Sequence, residues 1–149
     1  MEVKRILWPT DFSKNAAQAL PYVTSLTDKY QTEIHLLYVM EALKPDIPWY
    51  GELDPAHVDK IRKWEEKLAK KHLDAICTKY LDGCPKYIKH ITVGDPAQEI
   101  LNFIKKERMD MVVMAKHGRK GDFRIGSVSR RVVENSLAPV VTIPIGSNN

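Results

Sequence analysis

The fold of this chain is decided by residues 93–114, which read VGDPAQEILNFIKKERMDMVVM. Asp95 and Pro96 predict the start of a helix, because an aspartate caps free backbone amides and a proline fits the first helical turn. The apolar residues that follow recur at helical spacing: Ala97, Ile100, Leu101 and Ile104. The segment MDMVVMA at 109–115, which is apolar except for Asp110, is then predicted to form a strand.

The same alternation of strand and helix extends in both directions. Further apolar strands are predicted at residues 3–8, 33–40, 86–93 and 140–143. Helices are predicted after Ser13, over about 54–81 and over about 127–136. Alternating strands and helices imply right-handed crossovers and a parallel sheet between helices. We therefore expect one α/β domain over residues 1–149, with a doubly wound open sheet of five parallel strands.

Finer details of these elements are also predicted. Pro9 is expected to stop the first strand, and Pro21 is expected to kink the first helix, because proline lacks a backbone donor. The long helix is expected to bury one apolar face: Val58, Ile61, Trp64, Leu68 and Ile76. The third strand is expected to place Tyr87, Ile88 and Ile91 in the core. Residues 41–53 lack periodicity and are predicted to form a loop.

Length and composition exclude several classes of protein. The 149 residues are 44% hydrophobic and 28% charged, as in ordinary globular proteins. No apolar run approaches the roughly 18 residues of a membrane span, and the N-terminus lacks the apolar region of a signal peptide. Cys77 and Cys84 have neither disulfide nor zinc spacing. We expect a cytoplasmic protein with no membrane partner and with Cys77 in the core.

The positive charge is concentrated in one segment. The net charge is +4, and residues 116–131 hold six basic residues and one acid, Asp122. A basic segment this local suits a small anion better than a nucleic acid, which needs a broader basic face. A solvated loop with spare cations would give the same pattern, so charge alone leaves both interpretations open.

The candidate site follows from the fold class. In an open parallel sheet, ligands bind beyond the carboxyl ends of the strands near the switch in strand order, which selects the loops after the first and fourth strands. Asp11 can accept hydrogen bonds from a ribose or base, or it can cap the next helix. Gly126 and Ser127 begin a helix, whose N-terminus favours an anion, although an ordinary turn is the alternative. His117 can donate to a phosphate or pack within its loop.

Other chemistries lack their motifs. The first turn has no glycine for a dinucleotide site, and Gly126 is not followed by the lysine of a P-loop. No nucleophile elbow is present. The five histidines form no HxxxH pair, so neither catalytic residues nor a metal site are predicted.

The chain resembles the universal stress protein family along nearly its whole length. The resemblance rests on ILWPTDFSKNAAQAL at 6–20, HLLYVM at 35–40, the unit at 93–114, and HGRKG…GSVSRRVVENSLAPVVTIP at 117–144. It implies a parallel sheet of order 3-2-1-4-5 and usually a dimer. Nucleotide-binding members hold ATP with the signature G-x2-G-x9-G-S/T.

The resemblance also implies contact residues. For adenosine these are Pro9, Thr10, Asp11 and Val39. For the ribose and phosphates they are Ala115, His117, Gly118, Gly126, Ser127, Val128 and Ser129. Here the signature reads A-x2-G-x7-G-S, so the first glycine is an alanine and the loop is two residues shorter. Aligning Gly118 and Gly121 instead keeps both glycines but leaves only four residues before Gly126.

Two functions are consistent with these features. The first is a stress-response protein that binds ATP, accompanied by Mg²⁺, with little or no turnover. The second is a non-nucleotide-binding, dimeric interaction protein whose basic loop contacts an acidic partner. In either case a homodimer through the last strand is expected, because an unpaired apolar edge is usually covered or paired.

Overall fold

In a computed structural model that describes residues 1–41, 55–81, 87–117 and 125–144, five strands form one parallel sheet. The strands are β1 (Arg5–Thr10), β2 (Glu33–Met40), β3 (Tyr87–Val93), β4 (Met111–Ala115) and β5 (Val140–Ile143). Their order across the sheet is β3-β2-β1-β4-β5. The predicted fold class and strand order are therefore confirmed.

Helices cover both faces of the sheet. Within the described ranges they are α1 (Lys14–Ala17), α2 (Leu20–Tyr30), α3 (Pro55–Tyr80), α4 (Pro96–Lys106) and α5 (Ser127–Asn135). Successive strand residues point to opposite faces. Trp8 and Leu36 therefore pack in one core with α1, α2 and α3, whereas Leu7 and Leu37 pack in the other with α4 and α5.

Pro9 lies inside β1 and does not end it, so that prediction was wrong. Residues of a parallel strand bond alternately to the two neighbouring strands. The Lys4 carbonyl bonds to the start of β2 and the Arg5 carbonyl to Asp110, just before β4, so the missing N–H of Pro9 faces β4. The paired register between β1 and β4 reaches only Leu7, and the proline therefore interrupts no ladder bond.

Pro21 lies at the start of a second helix, so the prediction that it kinks the first helix was wrong. The helix that begins after Ser13 ends at Ala17, and α2 begins at Leu20 with Pro21 in its first turn. A first-turn N–H has no helical partner, so proline is tolerated there at little cost.

The expected buried face of α3 was wrong in its N-terminal half. Ile61, Trp64 and Leu68 are exposed, and Val58 and Ile76 are partly buried. The buried side chains lie further along: Ala69, Leu73 and Cys77. Helical spacing identified apolar residues on this helix but not the part of it that reaches the core.

Tyr87 and Ile88 are exposed, which corrects their expected place in the core. β3 is the edge strand beyond β2, so its first residues are not enclosed by helices. Ile91 is partly buried against the core that contains α1, α2 and α3. The predicted loop at 41–53 lies almost entirely outside the described residues.

Candidate functional site

The end of β1 is shaped into a tight turn by three side chains. Thr10 Oγ1 accepts a hydrogen bond from the Phe12 amide at 3.0 Å, and Asp11 Oδ1 accepts one from the Ser13 amide at 2.9 Å. Ser13 Oγ then accepts one from the Ala16 amide at 3.1 Å and caps α1. The cap is therefore Ser13, as predicted, and Asp11 braces the turn that precedes it.

Phe12 sits at the turn with φ of 62°, a left-handed conformation that is unusual for a bulky residue. Its ring packs against Tyr38, with centroids 4.4 Å apart, and against His72 at 5.0 Å. No local sequence pattern predicts this conformation. Its consequence is that the Phe12 ring points to the α3 side of the sheet.

The loop after β4 starts and finishes at one place. The Lys116 amide donates to the Ile143 carbonyl at 2.8 Å, and the Gly126 amide donates to the Lys116 carbonyl at 2.9 Å. Ser129 Oγ donates to the Ala115 carbonyl at 2.7 Å. These bonds fix the N-terminus of α5 at the carboxyl end of β4.

The N-terminus of α5 has no side-chain cap. Gly126 is the N-cap residue, and the first helical bond runs from the Arg130 amide to the Gly126 carbonyl at 2.9 Å. The amides of Ser127, Val128 and Ser129 precede that bond and so have no partner within the helix. In α1 and α4, by contrast, Ser13 and Asp95 accept bonds from first-turn amides.

His117 is 5% exposed, and its Nδ1 has no hydrogen-bond partner in the part of the chain that the structure describes. Buried polar atoms are nearly always hydrogen-bonded. The side chain is therefore packed within the protein, and its Nδ1 is an exception to that rule among the described residues.

The sheet brings most of the predicted contact residues to the carboxyl ends of its strands. Pro9, Thr10 and Asp11 are at the end of β1, and Val39 is the penultimate residue of the adjacent β2. The others lie at the end of β4 and the start of α5: Ala115, His117, Gly126, Ser127, Val128 and Ser129. The side chains of Val128 and Ser129 face inward, and Gly118 lies outside the described residues.

Part of the basic charge counted from the sequence is compensated. Arg131 Nη1 donates to Asp95 Oδ2 at 2.8 Å, and Arg130 Nε donates to Glu134 Oε1 at 3.1 Å. The hydrogen bond that Asp95 accepts from the Gln98 amide holds the pKa of its carboxyl below the ordinary value. The hydrogen bond and positive charge of Arg131 lower this pKa further. The Asp95–Arg131 pair also links the start of α4 to α5.

Among the residues that the structure describes, neither a metal centre nor a reactive thiol is indicated. In residues 1–41, 55–81, 87–117 and 125–144, no three histidine, cysteine or acidic side chains are grouped to hold an ion. Cys77 is 3% exposed in the core, as predicted, and burial raises the pKa of its thiol.

A polar groove of about 540 Å³ lies between α4 and α5, lined in part by Leu101 and Leu137, and away from the strand ends. None of the described helices combines the length and the apolar character that crossing a bilayer demands.

The fold and the carboxyl ends of β1 and β4 define a class of protein. It is a doubly wound α/β protein whose topological switch point holds a helix N-terminus without a side-chain cap. The chain belongs to the universal stress protein family, whose model matches residues 2–144. It is similar to Universal stress protein MJ0577 of Methanocaldococcus jannaschii, at 31% identity over 153 residues and 94% of each chain. It is also similar to Universal stress protein YxiE of Bacillus subtilis, at 30% identity over 147 residues, 93% of this chain and 97% of the relative.

Solved structures agree with this assignment. The structure of MJ0577 matches with a TM-score of 0.85 at 27% identity, over 99% of this chain and 100% of that chain. A universal stress protein from Archaeoglobus fulgidus in complex with dAMP matches with a TM-score of 0.63 at 18% identity, over 96% and 99% of the two chains. A universal stress protein in complex with cAMP matches at 0.60 and 16%, over 96% and 98%. At such identities the last two show the fold alone.

Proposed function

We propose that this protein binds an adenine nucleotide, ATP, where the ends of β1 and β4 meet the start of α5. The adenosine contacts in this proposal are Pro9, Thr10, Asp11 and Val39. The ribose and phosphate contacts are Ala115, His117, Gly118, Gly126, Ser127, Val128 and Ser129. Because Val128 and Ser129 point inward, they contribute backbone amides.

The observation that carries the proposal is the open N-terminus of α5. Its first-turn amides have no side-chain cap, and they lie at the switch point between β1 and β4. Amides and helix dipole together favour an anion such as a phosphate. The unpartnered Nδ1 of buried His117, two residues beyond β4, is a second group available to a ligand.

Ala115 and the first turn are compatible with a nucleotide. Ala115 is a strand residue and is not among the described residues with positive φ, so a side chain there is unstrained. Thr10 accepts a hydrogen bond from Phe12 and still carries a hydroxyl proton to donate. The complexes of family members with dAMP and cAMP support the choice of an adenine nucleotide.

The proposed role is binding with little or no hydrolysis, in a cytoplasmic stress response. The described residues group no carboxylates for a metal ion. Mg²⁺ is therefore proposed to arrive with the phosphates, keeping most of its water ligands.

Titration calorimetry with Mg²⁺ and ATP tests the proposal. We expect a saturable heat with one site per chain, and weaker binding of AMP, because AMP lacks the phosphates that would reach the end of α5. Absence of heat at millimolar ATP would contradict the proposal.

A homodimer through β5 belongs to the proposal and also supports the second candidate, a dimeric interaction protein without nucleotide. Leu137 is 80% exposed, and Val133 of α5 and Val141 of β5 are also exposed. Absence of ATP binding together with a stable dimer would favour that candidate.

A further inference from the structure

The N-terminal half of α3 extends past the core of the protein. Of the residues from Pro55 to Leu68, none is buried, whereas Ala69, Leu73 and Cys77 are buried further along the helix. At 1.5 Å per residue the unburied half is about 20 Å long. Helices in proteins owe most of their stability to packing of an apolar face, and in this half the apolar side chains of Ile61, Trp64 and Leu68 are left exposed.

That half carries an apolar stripe, which we call the outer stripe and define as Ile61, Trp64 and Leu68. Their side chains are 40%, 63% and 37% exposed. Spacings of three and four residues place them on one face, and the same spacing forms the seam between two packed helices. Tryptophan is also enriched among residues that dominate binding energy at protein interfaces.

One edge of the outer stripe is basic. Lys60 and Lys67 each precede a stripe residue by one position, and Lys71 follows Lys67 by one helical turn, so the three lysines share an edge. All three are exposed. Among the described residues no ion pair involves any of them, although the same helix forms the pairs Asp59–Lys63 and Glu66–Lys70 at 3.2 and 3.4 Å.

We propose that the outer stripe is a docking surface for an amphipathic, acidic helix of a partner protein. The apolar face of that helix would pack on Trp64, and its carboxylates would meet Lys60, Lys67 and Lys71. The proposal is independent of the nucleotide site, which lies at the ends of the strands.

Charge and width favour this occupant over two others. In an antiparallel two-fold pairing, a second copy would bring the same basic edge against the first, and like charges repel. A bilayer surface suits a helix with a broad apolar face, whereas a stripe with this spacing is narrow, as in a helix–helix seam.

Fluorescence anisotropy tests the proposal with a labelled synthetic peptide and the full-length protein. The peptide has leucine at the a and d positions and glutamate at the e and g positions of about three heptads. We expect saturable binding, weakened at least about tenfold by Trp64→Ala. Tyr80→Ala, at another exposed aromatic on α3, is the matched control and should change the affinity less than about twofold.

Charge reversal supplies the second arm. Lys60→Glu with Lys67→Glu should lose binding of the glutamate peptide and gain binding of a counterpart with lysine at e and g. Lys79→Glu, at the end of the same helix, should retain the original preference. Circular dichroism checks that each variant is folded, and Leu68→Ser replaces Trp64→Ala if the latter is not.

Five results would overturn the proposal. Four of them concern binding: absence of saturable binding, equal affinity for the glutamate and lysine peptides, binding that neither Trp64→Ala nor Leu68→Ser weakens, and binding only to anionic phosphatidylserine vesicles. A change of oligomeric state caused by Trp64→Ala would assign the stripe to a second copy, and would also overturn it.

Discussion

The N-cap residue differs among α1, α4 and α5, and with it the partner available to the first-turn amides. Ser13 and Asp95 each place a side-chain oxygen on first-turn amides of their own helix, and this capping stabilises the fold. Gly126 occupies the same position in α5 but has no side chain to do so. The amides that Ser13 and Asp95 satisfy internally are left in α5 for a ligand.

Gly126→Asp should weaken ATP binding by at least about tenfold, because the new carboxylate occupies the first-turn amides and repels phosphate. The same aspartate is a good N-cap, so the free energy of unfolding should stay equal or rise by a few tenths of a kcal/mol. Calorimetry and denaturant unfolding measure the two effects. Gly126→Ala adds no charge and no cap and should retain most of the affinity. Undiminished binding by Gly126→Asp would place the nucleotide elsewhere.

The stability of the fold is expected to depend on pH through His90 and the groups around it. His35 is buried between Glu33, with Nε2 2.5 Å from Oε1, and His90, with Nδ1 2.9 Å from Nε2. When His35 carries its proton on Nε2, it donates a hydrogen bond to the Glu33 carboxylate. Its Nδ1 can then accept a hydrogen bond from His90 Nε2. The His90 ring also contacts Phe103 of α4 at 4.6 Å. Burial, followed by the proximity of His35, lowers the pKa of His90 from its ordinary value.

The lowered pKa of His90 should make the fold less stable in mild acid. A histidine that takes up a proton more readily unfolded than folded contributes stability above its ordinary pKa of about 6.5, and that contribution is lost as the pH falls below this value. His90→Gln, which can still donate to His35, should flatten the fall in unfolding free energy between about pH 7 and pH 5. A fall as steep as that of the unchanged protein would contradict this assignment.

At the scale of elements, the two edges of the sheet differ in their surroundings. β5 pairs with β4 on one side only, and Val141 of β5, Leu137 just before it and Val133 of α5 are all exposed. β3, at the opposite edge, pairs with β2, and its Lys89 forms an ion pair with Asp74 of α3. The apolar surroundings of β5 favour it as the seam of a two-fold dimer.

Val141→Lys should dissociate this dimer without unfolding the subunit, because it puts a charge into the seam and leaves both cores intact. Light scattering at micromolar concentration should then give a mass near the 17.1 kDa of one chain, against twice that mass for the unchanged protein. Val93→Lys, at a similarly exposed valine on β3, is the control and should remain dimeric. A Val141→Lys variant that stayed dimeric would move the interface to another surface.

At the scale of the whole molecule, ligand binding is linked to folding. ATP at a hundredfold excess over its dissociation constant should raise the free energy of unfolding by about 2.7 kcal/mol. For a chain of this size that is a rise in Tm of about 5–10 °C, which thermal unfolding measures. At the same ATP concentration the Gly126→Asp variant, which binds at least about tenfold more weakly, should show at most about half of this rise. A shift below about 1 °C in the unchanged protein at that excess would contradict binding at a folded site.

The sequence by itself determined the architecture, because apolar strand runs and capped helix starts are local patterns. The unit at 93–114 predicted α4 and β4, and EIHLLYVM predicted β2 over its observed range. The strand order came from the family resemblance, since no local pattern fixes which strands become neighbours. The same resemblance selected the candidate contact residues, most of which the fold brings to one edge of the sheet.

Only the tertiary structure decided how each side chain is used. Pro9 fits inside β1 because its missing N–H faces β4 beyond the point where the paired register ends. The flanking strands β2 and β4 are both distant from Pro9 in sequence. Ile61 and Trp64 have the spacing of a core face but are exposed, because burial depends on where the sheet lies relative to the helix. Likewise, no local pattern indicated that His117 would be buried with its Nδ1 unpartnered among the described residues. Periodicity is a property of one segment, whereas burial and hydrogen bonding are properties of its neighbours, and folding alone determines those.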